Sequence, residues 1–230
     1  MIYNTPQQFK AVLFDLDGTL ADCFRDIQAA TNHAMRHVGL PEHSLEVITS
    51  FVGKGIDHLM RCACGPNASE EEAQEALAVG SQYYAEHPAE FAELYPGTRE
   101  LLTTLKQAGI KIAVVSNKPH VLAVPVCDQL GLSGLIDVIV GESARQPKKP
   151  DPAMLLDACR QLGIDASEAV MVGDGVMDIQ AARSAGVTSI AVTWGMTPED
   201  RLTSEQPELV VHNAKMLEEF LLDNVFEKTL

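Results

Sequence analysis

Short runs of apolar, mostly β-branched residues recur along this chain, and stretches with helical spacing separate them. The runs are Ala11 to Phe14, Ile110 to Val115, Leu135 to Val140, Ala169 to Val172 and Thr188 to Val192, with Leu209 to Val211 as a sixth. Helix boundaries are readable between them. Thr98 can cap a helix that stops at Gly109, Asp151-Pro152 opens another that stops at Gly163, and Gly131 and Gly186 close two more. Strands alternating with helices in this way predict an α/β fold, a doubly wound parallel sheet with a Rossmann-like core.

One interval breaks the rhythm. Between the first run and Tyr95 lie about eighty residues without a recognisable strand. Asp22 to Val38 has helical spacing, with Ile27, Ala30, Ala34 and Val38 on one side. Leu45 to Met60 is helical but interrupted at Gly53-Lys54-Gly55. Ser69-Glu70-Glu71-Glu72 is a capping box that opens a helix to about His87, ahead of Pro88. Tyr95-Pro96-Gly97 then turns the chain back. The expected organisation is a helical cap over residues 21–93, inserted after the first strand, with residues 1–20 and 94–230 forming the core.

The strongest chemical signal sits where the first run ends, in Asp15-Leu16-Asp17-Gly18-Thr19-Leu20. Ligands of open α/β sheets bind at the carboxyl ends of the strands. Residues two apart on an extended chain point the same way, so Asp15 and Asp17 can face one site. Gly18 permits a sharp turn, and the N–H groups around Gly18 and Thr19 can meet phosphate oxygens. Val172-Gly173-Asp174-Gly175-Val176-Met177-Asp178 brings two more carboxylates to the same edge. Two unit charges about 4 Å apart repel by about 4 kcal/mol at an effective dielectric of about 20. Gathered carboxylates therefore ask for a cation, and all-oxygen ligation suits Mg²⁺. Ser116 ends the second run, where its hydroxyl can donate to a phosphoryl oxygen, and the adjacent Asn117 is a further candidate to bind phosphate. Lys149, in Pro147-Lys148-Lys149-Pro150-Asp151-Pro152, can offset phosphate charge from a proline-stiffened loop.

These motifs, in this order, resemble the haloacid dehalogenase superfamily. The resemblance implies that Asp15 is a nucleophile and Asp17 a general acid and base, and that Ser116 and Lys149 bind phosphoryl oxygens. It also implies Mg²⁺ held by Asp15, the Asp17 carbonyl and Asp174, with Asp178 in support directly or through water, and a mobile cap. A second carboxylate beside the nucleophile has no use in dehalogenation, which leaves no alkoxide to protonate, so a phosphatase working through an aspartyl-phosphate is expected. Several stretches look like the phosphoglycolate phosphatase subgroup, among them Phe51-Val52-Gly53-Lys54-Gly55 and Ser116-Asn117-Lys118-Pro119. That likeness points to 2-phosphoglycolate as substrate, with Lys54 and Arg61 of the cap as candidates to pair with its carboxylate. Gly175 departs from the family, where a small polar residue is frequent, and this puts a supporting hydrogen bond in question.

Rival readings follow from the same residues. A pyrophosphatase, sugar-phosphate phosphatase or phosphomutase of the same superfamily would use the same core. A phospho-accepting receiver would hold its phosphoryl group and need no cap, and a binding protein would keep the fold without turnover. The charge balance narrows the partners. The chain has 230 residues, with 17 Lys and Arg against 32 Asp and Glu, for a net charge of −15. That argues against nucleic acid or an anionic membrane and for a small phosphorylated metabolite, with the protein a monomer or homodimer. Five cysteines without framework spacing suggest reduced thiols in a cytoplasmic protein. The first ten residues lack the pattern of a signal peptide, and no apolar run approaches the roughly 20 residues of a membrane span. His33 and His37, Cys62 and Cys64, and Trp194 with Tyr83 and Tyr84 are read as surface, core and packing residues.

Overall fold

A computed structural model describes residues 9–144 and 146–224. In chain order its elements are strand β1 (Ala11–Phe14), strand β2 (Ala21–Asp22), helices α1 (Phe24–His37), α2 (Leu45–Phe51), α3 (Ile56–Cys64) and α4 (Glu70–Glu86), and strand β3 (Glu93–Leu94). There follow α5 (Thr98–Gln107), β4 (Lys111–Pro119), α6 (His120–Gln129), β5 (Val138–Glu142), α7 (Ala153–Leu162), β6 (Ala169–Gly173), α8 (Val176–Ala185), β7 (Thr188–Val192), α9 (Glu199–Ser204), β8 (Leu209–Val211) and α10 (Ala214–Asp223).

Six strands form one parallel sheet in the order β5-β4-β1-β6-β7-β8. The central strand β1 is buried along its whole length, which is why its sequence is continuously apolar rather than alternating. Its side chains nonetheless divide between two faces. Val12 and Phe14 join the core under α5, α6 and α10, whereas Ala11 and Leu13 join a second core with Met154 and Leu155 of α7 and Ala181 and Ala182 of α8. From β1 the chain winds first toward β4 and β5, then toward β6, β7 and β8. The direction therefore reverses beside β1, and a crevice opens there at the carboxyl edge.

Helices α1 to α4 leave and rejoin this core through a short antiparallel ladder, in which Ala21 pairs with Leu94 and Asp22 with Glu93. The sequence showed no strand in this interval, because two-residue strands leave no periodic signal. The break at Gly53-Lys54-Gly55 separates α2 from α3, with φ of 109° at Gly53 and 92° at Gly55. The Ser69 and Glu72 capping box forms as expected. The buried Asp26 carboxylate of α1 accepts the N–H groups of Glu90 and Phe91, at 2.8 and 3.0 Å, and so ties the start of the insertion to its end. Phe24, Ile27, Met35, Ile48, Leu59 and Met60 extend the first core into the insertion without a gap.

Several boundaries differ from the sequence reading. Asp22, expected in the first helix, lies in β2 and α1 starts at Phe24, and β4 runs on to Pro119, past Val115 where its apolar run stops. Gly97, in the left-handed region at φ 83°, caps α5, and Thr98 is the first helical residue. The strand expected over Leu135 to Val140 begins later, at Val138, because Leu135 and Ile136 close a turn onto the Leu132 carbonyl. Asp151 does act at the start of α7, where its carboxylate accepts the Ala153 N–H. Among the described residues, no helix is long and apolar enough to cross a membrane.

Candidate active site

The candidate residues converge where the chain reverses, at the carboxyl ends of β1, β4 and β6. Asp15 follows β1 directly, and its N–H bonds the Val172 carbonyl of β6 at 2.9 Å. Asp174 follows β6, and Asp178 lies in the first turn of α8. Carboxylate oxygens of Asp15, Asp174 and Asp178 all lie within 4.8 Å of one another. Lys149 stands among them, with Nζ 3.2 Å from Asp15, 2.6 Å from Asp178 and 2.6 Å from the Val115 carbonyl.

Each of these side chains is fixed by neighbours. Asn117 clasps the Lys149 backbone, accepting its N–H at 2.8 Å and donating to its carbonyl at 2.9 Å. The same amide donates to the Gly53 carbonyl at 2.9 Å, which links the lysine loop to the insertion. Thr19 donates its hydroxyl to Asp174 Oδ1 at 2.9 Å and accepts the Asp174 N–H at 3.0 Å. The other Asp174 oxygen takes the Met196 N–H at 2.9 Å. Gly175 has no side chain to offer, and its N–H donates to Asp178 Oδ2 at 2.9 Å. Gly18 sits at φ 88°, where a Cβ would come within 2.5 Å of Asp174 Oδ2.

Burial dominates the electrostatics. It pushes the Asp15 carboxyl up to about 6, against the pull of Lys149 and a hydrogen bond from Ser116, with Asp178 and Asp17 adding to the rise. Burial, followed by Asp15 and Asp178, pushes Asp174 up to about 7. Burial alone would favour neutral Lys149, but Asp15 and Asp178 outweigh it and hold its ammonium above the usual range. Three clustered carboxylates face a single lysine, so the site lacks positive charge. The donors are all hard oxygens, and a small divalent cation fits them in charge and chemistry.

Asp17 pairs with a different lysine. Both its oxygens lie 3.2 Å from Lys118 Nζ, and that ammonium sits 4.2 Å from the centroid of the Tyr84 ring. Asp15, Asp17, Ser116, Lys118, Lys149 and Tyr84 line one cavity, whose insertion side is otherwise apolar except for Thr31, which gives its hydroxyl to the Ile27 carbonyl. Lys54 is exposed, Arg61 is exposed and paired with Glu70 at 2.8 Å, and neither lines that cavity.

Several participants were not read from the sequence. Trp194, taken for a packing residue, also donates its indole N–H to the Thr19 carbonyl at 3.0 Å. Tyr84, taken likewise, reaches the cavity. Lys148 bridges Asp57 of α3 at 2.7 Å and Glu142 of β5 at 2.9 Å. The remaining signals are ordinary: His33 stacks on Tyr83, His37 pairs with Glu75, and Cys64 is buried.

Comparison with known proteins agrees with this geometry. A family model described as haloacid dehalogenase-like hydrolase matches residues 12–192. A phosphoglycolate phosphatase of Pseudomonas syringae pv. tomato is 35% identical over 213 residues, covering 90% of this chain and 78% of the relative. One from Chromobacterium violaceum is 38% identical over 203 residues, covering 86% and 91%. Among solved structures, a predicted phosphoglycolate phosphatase from Haemophilus somnus superposes with a TM-score of 0.86 at 30% identity, covering 93% of this chain and 98% of the other.

Proposed function

The chain belongs to the haloacid dehalogenase-like hydrolases, and from that premise we propose that it is a Mg²⁺-dependent phosphatase that cleaves 2-phosphoglycolate to glycolate and phosphate. The observation that carries this reading is the meeting of Asp15, Asp174 and Asp178 with Lys149 at one sheet edge.

Asp15 attacks phosphorus and carries the phosphoryl group as an acyl phosphate. Lys149, already 3.2 Å from Asp15, pairs with the phosphoryl oxygens and lowers the repulsion between two anions. The Ser116 hydroxyl, beside Asp15, donates to the same group. A Mg²⁺ ion held by Asp15, Asp174, the Asp17 carbonyl and Asp178, directly or through water, would supply the remaining positive charge. Asp17 gives a proton to the departing alkoxide, then takes one from the water that cleaves the acyl phosphate. Thr19 and Asn117 serve this site by holding Asp174 and Lys149 in place. We read residues 21–93 as a cap that closes over the core formed by 1–20 and 94–230, which excludes bulk water during transfer.

Phosphate release from a panel of metabolite monoesters with Mg²⁺, run beside Asp15→Asn, tests the reading. The expected result is 2-phosphoglycolate leading by about a hundredfold in kcat/KM and an inactive Asp15→Asn. A different leading substrate would leave the chemistry standing and remove phosphoglycolate. Equal activity of Asp15→Asn and wild type would remove the nucleophile.

A further inference from the structure

Lys118 has no part in the chemistry assigned above, yet it is a buried cation on the cavity wall. Its side chain is 6% exposed, and its ion-pair partner among the described residues is Asp17. Both contacts, at 3.2 Å, are longer than the 2.7–2.9 Å or so of a tight ammonium–carboxylate bond. On the insertion side the cavity presents the apolar Ile27, Ala30, Leu59 and Met60, together with Thr31, whose hydroxyl is already given to the Ile27 carbonyl at 2.7 Å.

Tyr84 supplies an independent observation. It is 3% exposed and lines the cavity; its oxygen is drawn to the Lys118 ammonium, which can only donate, and its O–H proton meets no acceptor among the described residues. A buried phenol O–H left without an acceptor is destabilising until one arrives. Its ring also lies under the Lys118 ammonium, so one acceptor can meet both groups.

We propose that Lys118 and Tyr84 form the subsite that recognises a substrate carboxylate placed next to the phosphate ester. The inference rests on the phosphatase reading and deepens it. Asp17 must hydrogen-bond the ester oxygen that departs, and in a 2-phospho carboxylate the carboxylate carbon lies two bonds beyond that oxygen. A cation in contact with Asp17 therefore stands where that carboxylate falls. Lys54 and Arg61, outside the cavity, do not.

The readout is the ratio of kcat/KM for 2-phosphoglycolate to that for ethyl phosphate, which keeps the ester and replaces the carboxylate with a methyl group. Wild type is expected to favour phosphoglycolate by about a hundredfold, as a site built around a polar group does. Lys118→Met should bring the ratio to within about fivefold of unity, and Tyr84→Phe should lower it about fivefold, chiefly through KM. A lysine that only orients Asp17 would slow both substrates alike and preserve the ratio, which overturns the proposal. Should Lys118→Met not fold, Tyr84→Phe keeps the ring and decides alone, an unchanged ratio counting against the subsite. Wild type that turns over both esters equally well keeps the phosphatase and removes this subsite. Wild type that releases phosphate from neither removes both.

Discussion

Thr19 and Asp174 exchange two hydrogen bonds across 155 positions of chain, the hydroxyl giving one and taking the other. The indole of Trp194 holds the Thr19 carbonyl, and the Met196 N–H holds the second Asp174 oxygen. Three loops, after β1, β6 and β7, are thus lashed to one buried carboxylate. Asp174 is 1% exposed, and these donors offset part of the cost of removing it from water.

Thr19→Val keeps the shape of the side chain and removes both bonds, leaving buried polar atoms of Asp174 unpaired. The expected cost is about 2 kcal/mol, and thermal melting should fall by roughly 4–8 °C. Thr19→Ser retains the hydroxyl and should melt close to wild type. A Thr19→Val protein melting with wild type would show that the clasp contributes nothing to stability.

Gly195 works on the same carboxylate by leaving room. A Cβ at this position would come within 2.2 Å of Asp174 Oδ2 and 2.3 Å of its Cβ and Cγ. Gly195→Ala must push Asp174 aside, and a displacement of about 1 Å at a reacting site can lower the rate a hundredfold. Calorimetric titration with Mg²⁺ should show affinity lowered at least tenfold. Unchanged affinity would mean that the loop shifts instead of the carboxylate.

The sequence carried the parts of this arrangement that local rules govern. β1 was legible because burial on both faces demands an unbroken apolar run, and Asp15 and Asp17 because they end it. Helix α4 was legible from a capping box that satisfies its own N-terminus. The ladder of β2 with β3 was not, since two residues per strand are too few for a period to register. Nor were the partners of Lys118, which meets Asp17 from 101 positions away and Tyr84 from a different element. Lys54 drew attention because glycines flank it, but its side chain is exposed, and it is the Gly53 carbonyl that meets Asn117. Pairings of this kind are set by how elements stack, and no residue pattern near either partner records them.

The raised carboxyls give a pH dependence of definite sign. Asp15 at about 6 and Asp174 at about 7 start from an ordinary value of 3.8 in the unfolded chain. Between pH 4 and 7 or so the metal-free folded state therefore holds more protons than the unfolded one, and stability from these groups falls as pH rises. The penalty is absent below about pH 4 and complete above about pH 7. A divalent cation replaces those protons, so its stabilising effect should grow in the same direction. Melting curves with and without Mg²⁺ should separate by several degrees at pH 8 and by little at pH 5. A separation as large at pH 5 as at pH 8 would mean the ion does not bind Asp15 and Asp174.

Lys148 joins Asp57, at the start of α3, to Glu142, at the end of β5, one residue before Lys149. Asp57 is 58% exposed, so solvent screens this bridge and its contribution to global stability is at most about 1 kcal/mol. Its consequence is local. With the bond from Asn117 to Gly53, it is a tie between the insertion and the lysine loop, and losing it frees α3 to part from the sheet edge. Lys148→Gln should leave the urea midpoint nearly unchanged, while amide exchange in residues 53–64 quickens roughly threefold relative to β1 and β6. Raising the salt concentration on wild type should move exchange in the same direction, because screening weakens the same pair. If exchange in α3 ignores both the variant and the salt, packing of Leu59 and Met60 against α1 and α4 holds the helix, and the bridge is a bystander.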